Sequence, residues 1–317
     1  MRFFLRVLVM ALGIFCLLPN TAIAKCAVSE KELEQPSEPK NCHVYRSWMP
    51  SDRSESGVLL CVHGFGLTGD AYTTLAKKLA SKGFTVYAVK VRGFGGDSDA
   101  RGCTAVDPAG TVVDMAEVIE QVKQEHPSAP IFLLGESMGG ATALQSAERY
   151  KEQIAGLILS APAARRFKGN REAAKVFLHS LAGPNRNYDE GSNLIRQASS
   201  QDSALAKTWE SDKRNRKLFS PLDLARFQLF MNKNEPAAAN LSGVPVLMIQ
   251  GVEDSLVEPM STWNLFLKIG SSDKTLLAIP YGHLVLEYER LLSKKDVELI
   301  AGAISSWISA RSATTGN

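Results

Sequence analysis

"IFLLGESMGGATAL", residues 131–144, decides the fold. Its first part is an unbroken apolar run, as expected of a strand buried on both faces. Its last part is rich in small and helix-compatible residues. Between them Gly135-Glu136-Ser137-Met138-Gly139 spells G-x-S-x-G, the junction that lifts a serine hydroxyl above the carboxyl end of a sheet. Glycines permit a sharp turn that Cβ atoms would block. A helix opening directly behind Ser137 favours negative charge developing beside it. A serine that merely starts a helix is the plainer reading, but strand–G-E-S-M-G-G–helix is the full context a nucleophile requires.

Outward from this stretch, apolar runs alternate with amphipathic ones. Strands are expected at 58–62, 85–91, 131–134, 156–160, 246–250 and 275–279, and helices at 71–81, 111–125, 138–150, 260–268 and 294–310. The alternation implies an α/β fold: a mostly parallel central sheet flanked by helices, with right-handed crossovers. It breaks between Pro162 and Leu241, where about 80 residues read as helix and loop, with helices at 171–181, 194–200 and 221–231 and no convincing strand. An insertion there lies over the carboxyl ends of the strands, where ligands bind. It reads as a helical cap, 162–241, splitting a core into 56–161 and 242–317.

The N-terminus is a separate matter. Residues 1–24, "MRFFLRVLVMALGIFCLLPNTAIA", carry Arg2 and Arg6, a 12-residue apolar stretch from Val7 to Leu18, and Ala22-Ile23-Ala24. This is the pattern of a secretory signal with an A-x-A cleavage site; a membrane span wants about 20 apolar residues. The expected mature chain begins at Lys25 and is exported, to a periplasm or beyond the cell. A polar arm and a first strand follow at 25–55. Loss of two arginines lowers the net charge from +3 to +1, so no nucleic-acid footprint is visible. Export to an oxidising space permits a Cys26–Cys42 disulfide, whereas Cys61 sits in an apolar strand. Metal-ligand spacings such as C-x-x-C do not occur.

A serine nucleophile needs a base, and the base an orienting acid. On a sheet with this elbow they follow in the order Ser, acid, His. Of five histidines only His179 and His283 follow Ser137. His179 falls in the cap, and His283 follows the last strand in "LLAIPYGHLVLE", so it is the expected base. The loop after strand 246–250 offers Glu253, Asp254 and Glu258. Asp254 lies one residue deeper than Glu253, with Val257 packing the turn, and is favoured.

"HGFGLTGD", residues 63–70, raises a competing reading. Gly64, Gly66 and Gly69 match G-x-G-x-x-G, a dinucleotide fingerprint. That fingerprint wants an acid about 20 residues on, whereas the next strand ends Lys90-Val91-Arg92. Acyl transfer instead needs backbone donors for an oxyanion. The Phe65 and Met138 amides are the expected pair, and neither a metal nor an organic cofactor is implied.

"HGFGLTGDAY", "VRGFGGDSD", "GESMGG", "GVEDSLVEP" and "YGHLVLE" together resemble the α/β-hydrolase superfamily, and within it the monoacylglycerol lipase, lysophospholipase and carboxylesterase group. The resemblance covers about residues 56–310. It implies an α/β-hydrolase fold and serine esterase chemistry through Ser137, Asp254 and His283, on a small-molecule or lipid ester. The cap matches none of these motifs, and "VRGFGGDSD" has an additional glycine before its Ser98. The cap's charge is near +6, which suits peripheral contact with anionic lipid headgroups, or simply a solvated face. Phe227 and Phe230 are expected to line an acyl-chain pocket, or else to form the cap's own core. An exo-peptidase or acyltransferase on the same residues is the rival enzyme reading. A hydrolase-like binding protein is the rival outside enzymes, though a binder need not keep all three groups.

Overall fold

The computed structural model describes residues 7–9, 43–51, 55–95, 105–162, 176, 179–181, 183–199, 203–287 and 294–312. The Cys26–Cys42 pair and most of the helix expected at 171–181 lie outside them. The described strands are β1 (Val7–Val9), β2 (Val44–Trp48), β3 (Gly57–Val62), β4 (Phe84–Val89), β5 (Ile131–Glu136), β6 (Gly156–Ser160), β7 (Tyr188–Asp189), β8 (Leu218–Phe219), β9 (Val246–Gly251) and β10 (Lys274–Ile279). Eight of them form one sheet in the order β1-β10-β9-β6-β5-β3-β4-β2. All neighbours are parallel except β2 and β4. Edge strand β1 lies inside the expected leader, so cleavage after Ala24 would remove it.

Every residue of β3, β4, β5, β6 and β9 is buried, because helices cover both faces. The period of two sorts the side chains. Val58, Leu60 and Val62 join the core beneath α2 (Pro108–Glu125) and α3 (Met138–Arg149). Leu59 and Cys61 face α1 (Thr73–Ala80) and α9 (Lys294–Ser312) on the other side. Strand β3 pairs with β4 on one side and β5 on the other. The chain reverses its direction of winding there, which opens a crevice at the carboxyl ends of β3 and β5. The loop after β3 holds Gly64 and Phe65; the turn after β5 holds Ser137.

Sequence periodicity located the core elements to within a few residues. Helix α2 begins three residues before the expected 111, because Asp107 caps Gly110 N and Pro108 supplies the first turn. A 3₁₀ turn, Gly69–Tyr72, precedes α1. The insertion contains α4 (Gly191–Ala198), α5 (Ser203–Ser211), α6 (Pro221–Met231) and α7 (Asn234–Asn240). Helix α6 matches its expected span; Ser220 and Asp223 close a capping box and Pro221 sits in the first turn. Helices α5 and α7 were not anticipated, nor was the two-residue antiparallel pair β7–β8. Ala237 and Ala238 of α7 pack into the core. Helix α8 (Pro259–Lys268) lies between β9 and β10.

Candidate active site

Ser137 occupies the turn between β5 and α3 with φ 55° and ψ −119°. A non-glycine residue in that region costs on the order of 1–3 kcal/mol and persists only where its surroundings enforce it. They do so here. Ser137 N donates to Ser160 O at 2.9 Å. A Cβ on Gly139 would lie 1.8 Å from Val62 O, and one on Gly135 would lie 2.2 Å from Gly139 O. The motif glycines are therefore required by close approach of three chain segments. Met138 heads α3, where first-turn amides have no partner within the helix.

His283 reaches the same place from the loop after β10. His283 and Ser137 both line one pocket, with Gly64 and Phe65 at its rim. His283 Nδ1 donates to Asp254 Oδ2 at 2.7 Å, and both side chains are fully buried. Asp254 is held in turn. The Leu256 and Val257 amides donate to its Oδ1 at 2.8 and 2.9 Å, and Gln250 Nε2 to its Oδ2 at 3.2 Å. Burial alone would raise the Asp254 pKa, but the His283 ring and the two amides outweigh it and hold the carboxyl below its usual range. Glu253 is exposed on the same loop, and Glu258 stands at the N-cap position of α8 without a side-chain capping bond. His179 stacks on Tyr188 within the cap, ring centroids 4.1 Å apart.

Protein packing accounts for the glycines of "HGFGLTGD". A Cβ on Gly64 would lie 2.8 Å from Glu287 Oε2, and one on Gly69 2.7 Å from the Ala88 Cβ. Gly66 has φ +79° and faces Trp209. His63 is fully buried, with Nδ1 donating to Gly64 O at 2.9 Å, and burial lowers its pKa to about 4. The Phe65 ring packs against Phe219 at 4.3 Å, Phe227 at 5.1 Å and Phe94 at 5.4 Å.

The pocket walls are apolar. Leu194, Ile195 and Ala198 come from α4, and Phe227 and Met231 from α6. Phe230, expected beside Phe227 as an acyl-pocket residue, does not line this pocket. It is buried against Val112 and Ala141, under the cap. Phe227 and Met231, one turn apart, reach the pocket, while Met231 also packs with Phe230 against Val112 and Ala141. The cap is tied to the rim: Arg216 N donates to Gly66 O at 3.1 Å, and its guanidinium reaches Gly93 O and Asp223. Arg214 pairs with Asp70. Two further acids, Glu136 and Glu287, are completely buried behind the site. A glutamate ending the apolar run "IFLLGE" and another ending "HLVLE" were the only signals of them. Among the described residues, no group of His, Cys, Asp and Glu is placed to hold a metal ion.

Fold and site together are those of an α/β-hydrolase of the serine esterase and lipase class, acting on carboxylic esters. Residues 53–286 match the family described as "Serine aminopeptidase, S33" (Hydrolase_4), and the chain belongs to that family. It is 25% identical over 265 residues to a monoacylglycerol lipase of Mycolicibacterium smegmatis, covering 84% of this chain and 92% of that one. It is 27% identical over 283 residues to the Homo sapiens monoglyceride lipase, covering 86% and 88%. A soluble variant of the Saccharomyces cerevisiae monoglyceride lipase, solved with a substrate analogue, has the same fold: TM-score 0.73 at 20% identity, covering 88% of this chain and 97% of that one.

Proposed function

We propose that the protein hydrolyses lipid esters, monoacylglycerols foremost, through an acyl-enzyme on Ser137. The observation that carries this reading is the shared pocket: a strained serine and a buried histidine–aspartate pair open onto apolar walls. Ser137 Oγ attacks the acyl carbonyl while His283 Nε2 takes its proton. The Phe65 and Met138 amides stabilise the resulting oxyanion. The carbon–oxygen bond to the alcohol breaks, and His283 returns the proton to the departing oxygen. Water, activated by the same ring, then releases the acid. Asp254 fixes the imidazole tautomer and supports its charged form.

The names of the bacterial and human relatives support a monoacylglycerol as substrate. An aminopeptidase needs a carboxylate to hold the substrate amine, and among the described residues lining the pocket there is no Asp or Glu. The basic cap favours docking on an anionic lipid surface. Export by the 1–24 leader belongs to the same reading; N-terminal sequencing of exported protein should start at Lys25. The test of function is a substrate panel of monoacylglycerols of graded chain length, a lysophospholipid and an aminoacyl-anilide. Monoacylglycerols should give the highest kcat/KM. Preference for the anilide would make the protein a peptidase.

A further inference from the structure

Glu136 and Glu287 are both 0% exposed, and their placement is not that of core acids paired with bases. Glu136 immediately precedes Ser137. Its Oε1 accepts from Ser160 Oγ at 2.6 Å, Val285 N at 2.8 Å and Leu286 N at 3.0 Å; its Oε2 accepts from Glu287 N at 3.0 Å. The three amides belong to the loop directly after His283. Glu287 is the last described residue of that stretch. Its Oε1 accepts from Gly64 N at 2.8 Å, next to Phe65. Its Oε2 packs where any side chain at position 64 would stand.

We propose that Glu136 and Glu287 are positioning residues for the reaction: Glu136, on the serine strand, fixes the histidine loop, and Glu287, on the histidine loop, fixes the oxyanion loop. The inference rests on the acyl-enzyme reading above. The two acids join three segments in series. Ser137, His283 and the Phe65 amide sit on three segments far apart in sequence, and each segment is tied to the next by a carboxyl group.

The pair of acids holds one negative charge. Two carboxylates buried together cannot both ionise cheaply. Burial raises the Glu136 pKa as well, but four donors aimed at it and the His283 ring nearby oppose the rise. Glu287 has one donor, Gly64 N, since the Tyr72 hydroxyl donates to Val62 O at 2.9 Å, and burial first and the Glu136 charge second push its pKa well up. The other titratable groups facing it, Cys61 and Tyr72, are themselves driven by burial toward their neutral forms. The proton therefore resides on Glu287, and Glu136 is the carboxylate.

This assignment makes the two acids respond differently to the same substitution. In Glu287→Gln the amide oxygen still accepts from Gly64 N, and the amide NH₂ stands in for the protonated oxygen. In Glu136→Gln an NH₂ group is forced against an N–H or O–H donor, and the charge is lost. The experiment measures kcat, KM and far-ultraviolet circular dichroism on one activated ester for Glu136→Gln, Glu287→Ala, Glu287→Gln and Ser137→Ala. Glu136→Gln and Glu287→Ala should lose roughly 10- to 100-fold in kcat with KM little changed, as expected when reacting groups are misplaced by a fraction of an ångström to an ångström. Glu287→Gln should recover most of what Glu287→Ala loses. If Glu136→Gln does not fold, the comparison of Glu287→Ala with Glu287→Gln decides. A Glu136→Gln enzyme within about threefold of wild type, or a Glu287→Gln enzyme as poor as the alanine variant, would overturn the proposal. Full activity in Ser137→Ala would instead overturn the acyl-enzyme reading, and the positioning role with it.

Discussion

Replacing Asp254 with asparagine removes one charge and almost no volume, and the surrounding donors dictate which way the new amide turns. Oδ1 of Asp254 accepts from two backbone amides, Leu256 and Val257, at 2.8 and 2.9 Å. An NH₂ group cannot sit there without facing both donors. The asparagine oxygen must therefore take that side, and its NH₂ must point at His283 Nδ1, where the aspartate oxygen now accepts at 2.7 Å. Nδ1 can then only accept, so the ring proton moves to Nε2, the atom that receives the Ser137 proton in the proposed mechanism. The wrong tautomer is thereby locked by two backbone amides. In serine proteases the corresponding change costs about 10⁴ in kcat, which is about 5.4 kcal/mol of transition-state stabilisation. The assay is kcat on a nitrophenyl ester, with folding checked by circular dichroism, for Asp254→Asn beside Glu253→Gln. Glu253 is exposed on the same loop, so its variant should stay within about 0.5 kcal/mol of wild type in stability and keep its activity. An Asp254→Asn enzyme within tenfold of wild type would refute the tautomer argument, and a dead Glu253→Gln would move the acid by one residue.

Two further outcomes follow from the geometry. Phe227→Ala should lower kcat/KM for long acyl chains far more than for acetate, because its ring lines the pocket; Phe230→Ala should leave that ratio unchanged and cost about 3–5 kcal/mol of stability, as a large buried side chain does, both read from chain-length panels and denaturant melts. Buried His63 has a folded-state pKa near 4 against 6.5 for the free side chain. Below pH 6.5 the unfolded chain gains a proton that the folded one refuses, so stability should fall by about 3 kcal/mol between those two pH values and level off below the lower one. His63→Gln should flatten that part of the curve, and an unchanged slope would show that His63 takes its proton in the fold.

The parts of the site legible in the sequence were those fixed by local rules. Ser137 announces itself because strand, glycines and helix are contiguous. His283 follows from chain order and from the loop position after the last strand. Asp254 and Glu253 were separable only weakly by position, since neighbouring loop residues are told apart by burial: one is enclosed by two amides and an imidazole, the other faces solvent. Phe230 was expected on the pocket wall, but apolar residues along α6 serve two surfaces: 227 and 231 line the pocket, and 230 and 231 pack with Val112 and Ala141. Periodicity shows that a helix has an apolar face, not what lies against it. The pocket wall from α4 was hidden for the same reason. Glu136 and Glu287 lay furthest out of reach. Their meaning depends on a contact 151 residues apart, and a glutamate inside an apolar run signals a buried charge without naming its partners. The glycine at 64 was legible as a point of close approach, but what approaches it, the Glu287 carboxyl, was not.

The central claim is that ester cleavage passes through a covalent adduct on Ser137. The direct measurement is to treat the folded protein with a fluorophosphonate, digest it, and locate the added mass by tandem mass spectrometry, with Ser137→Ala as the parallel sample. One adduct per chain on the peptide containing Gly135-Glu136-Ser137-Met138-Gly139, assigned to the serine, with no label and no ester turnover in the alanine variant, is the predicted result. Label on another residue, or an alanine variant that still labels and still cleaves ester, would contradict it.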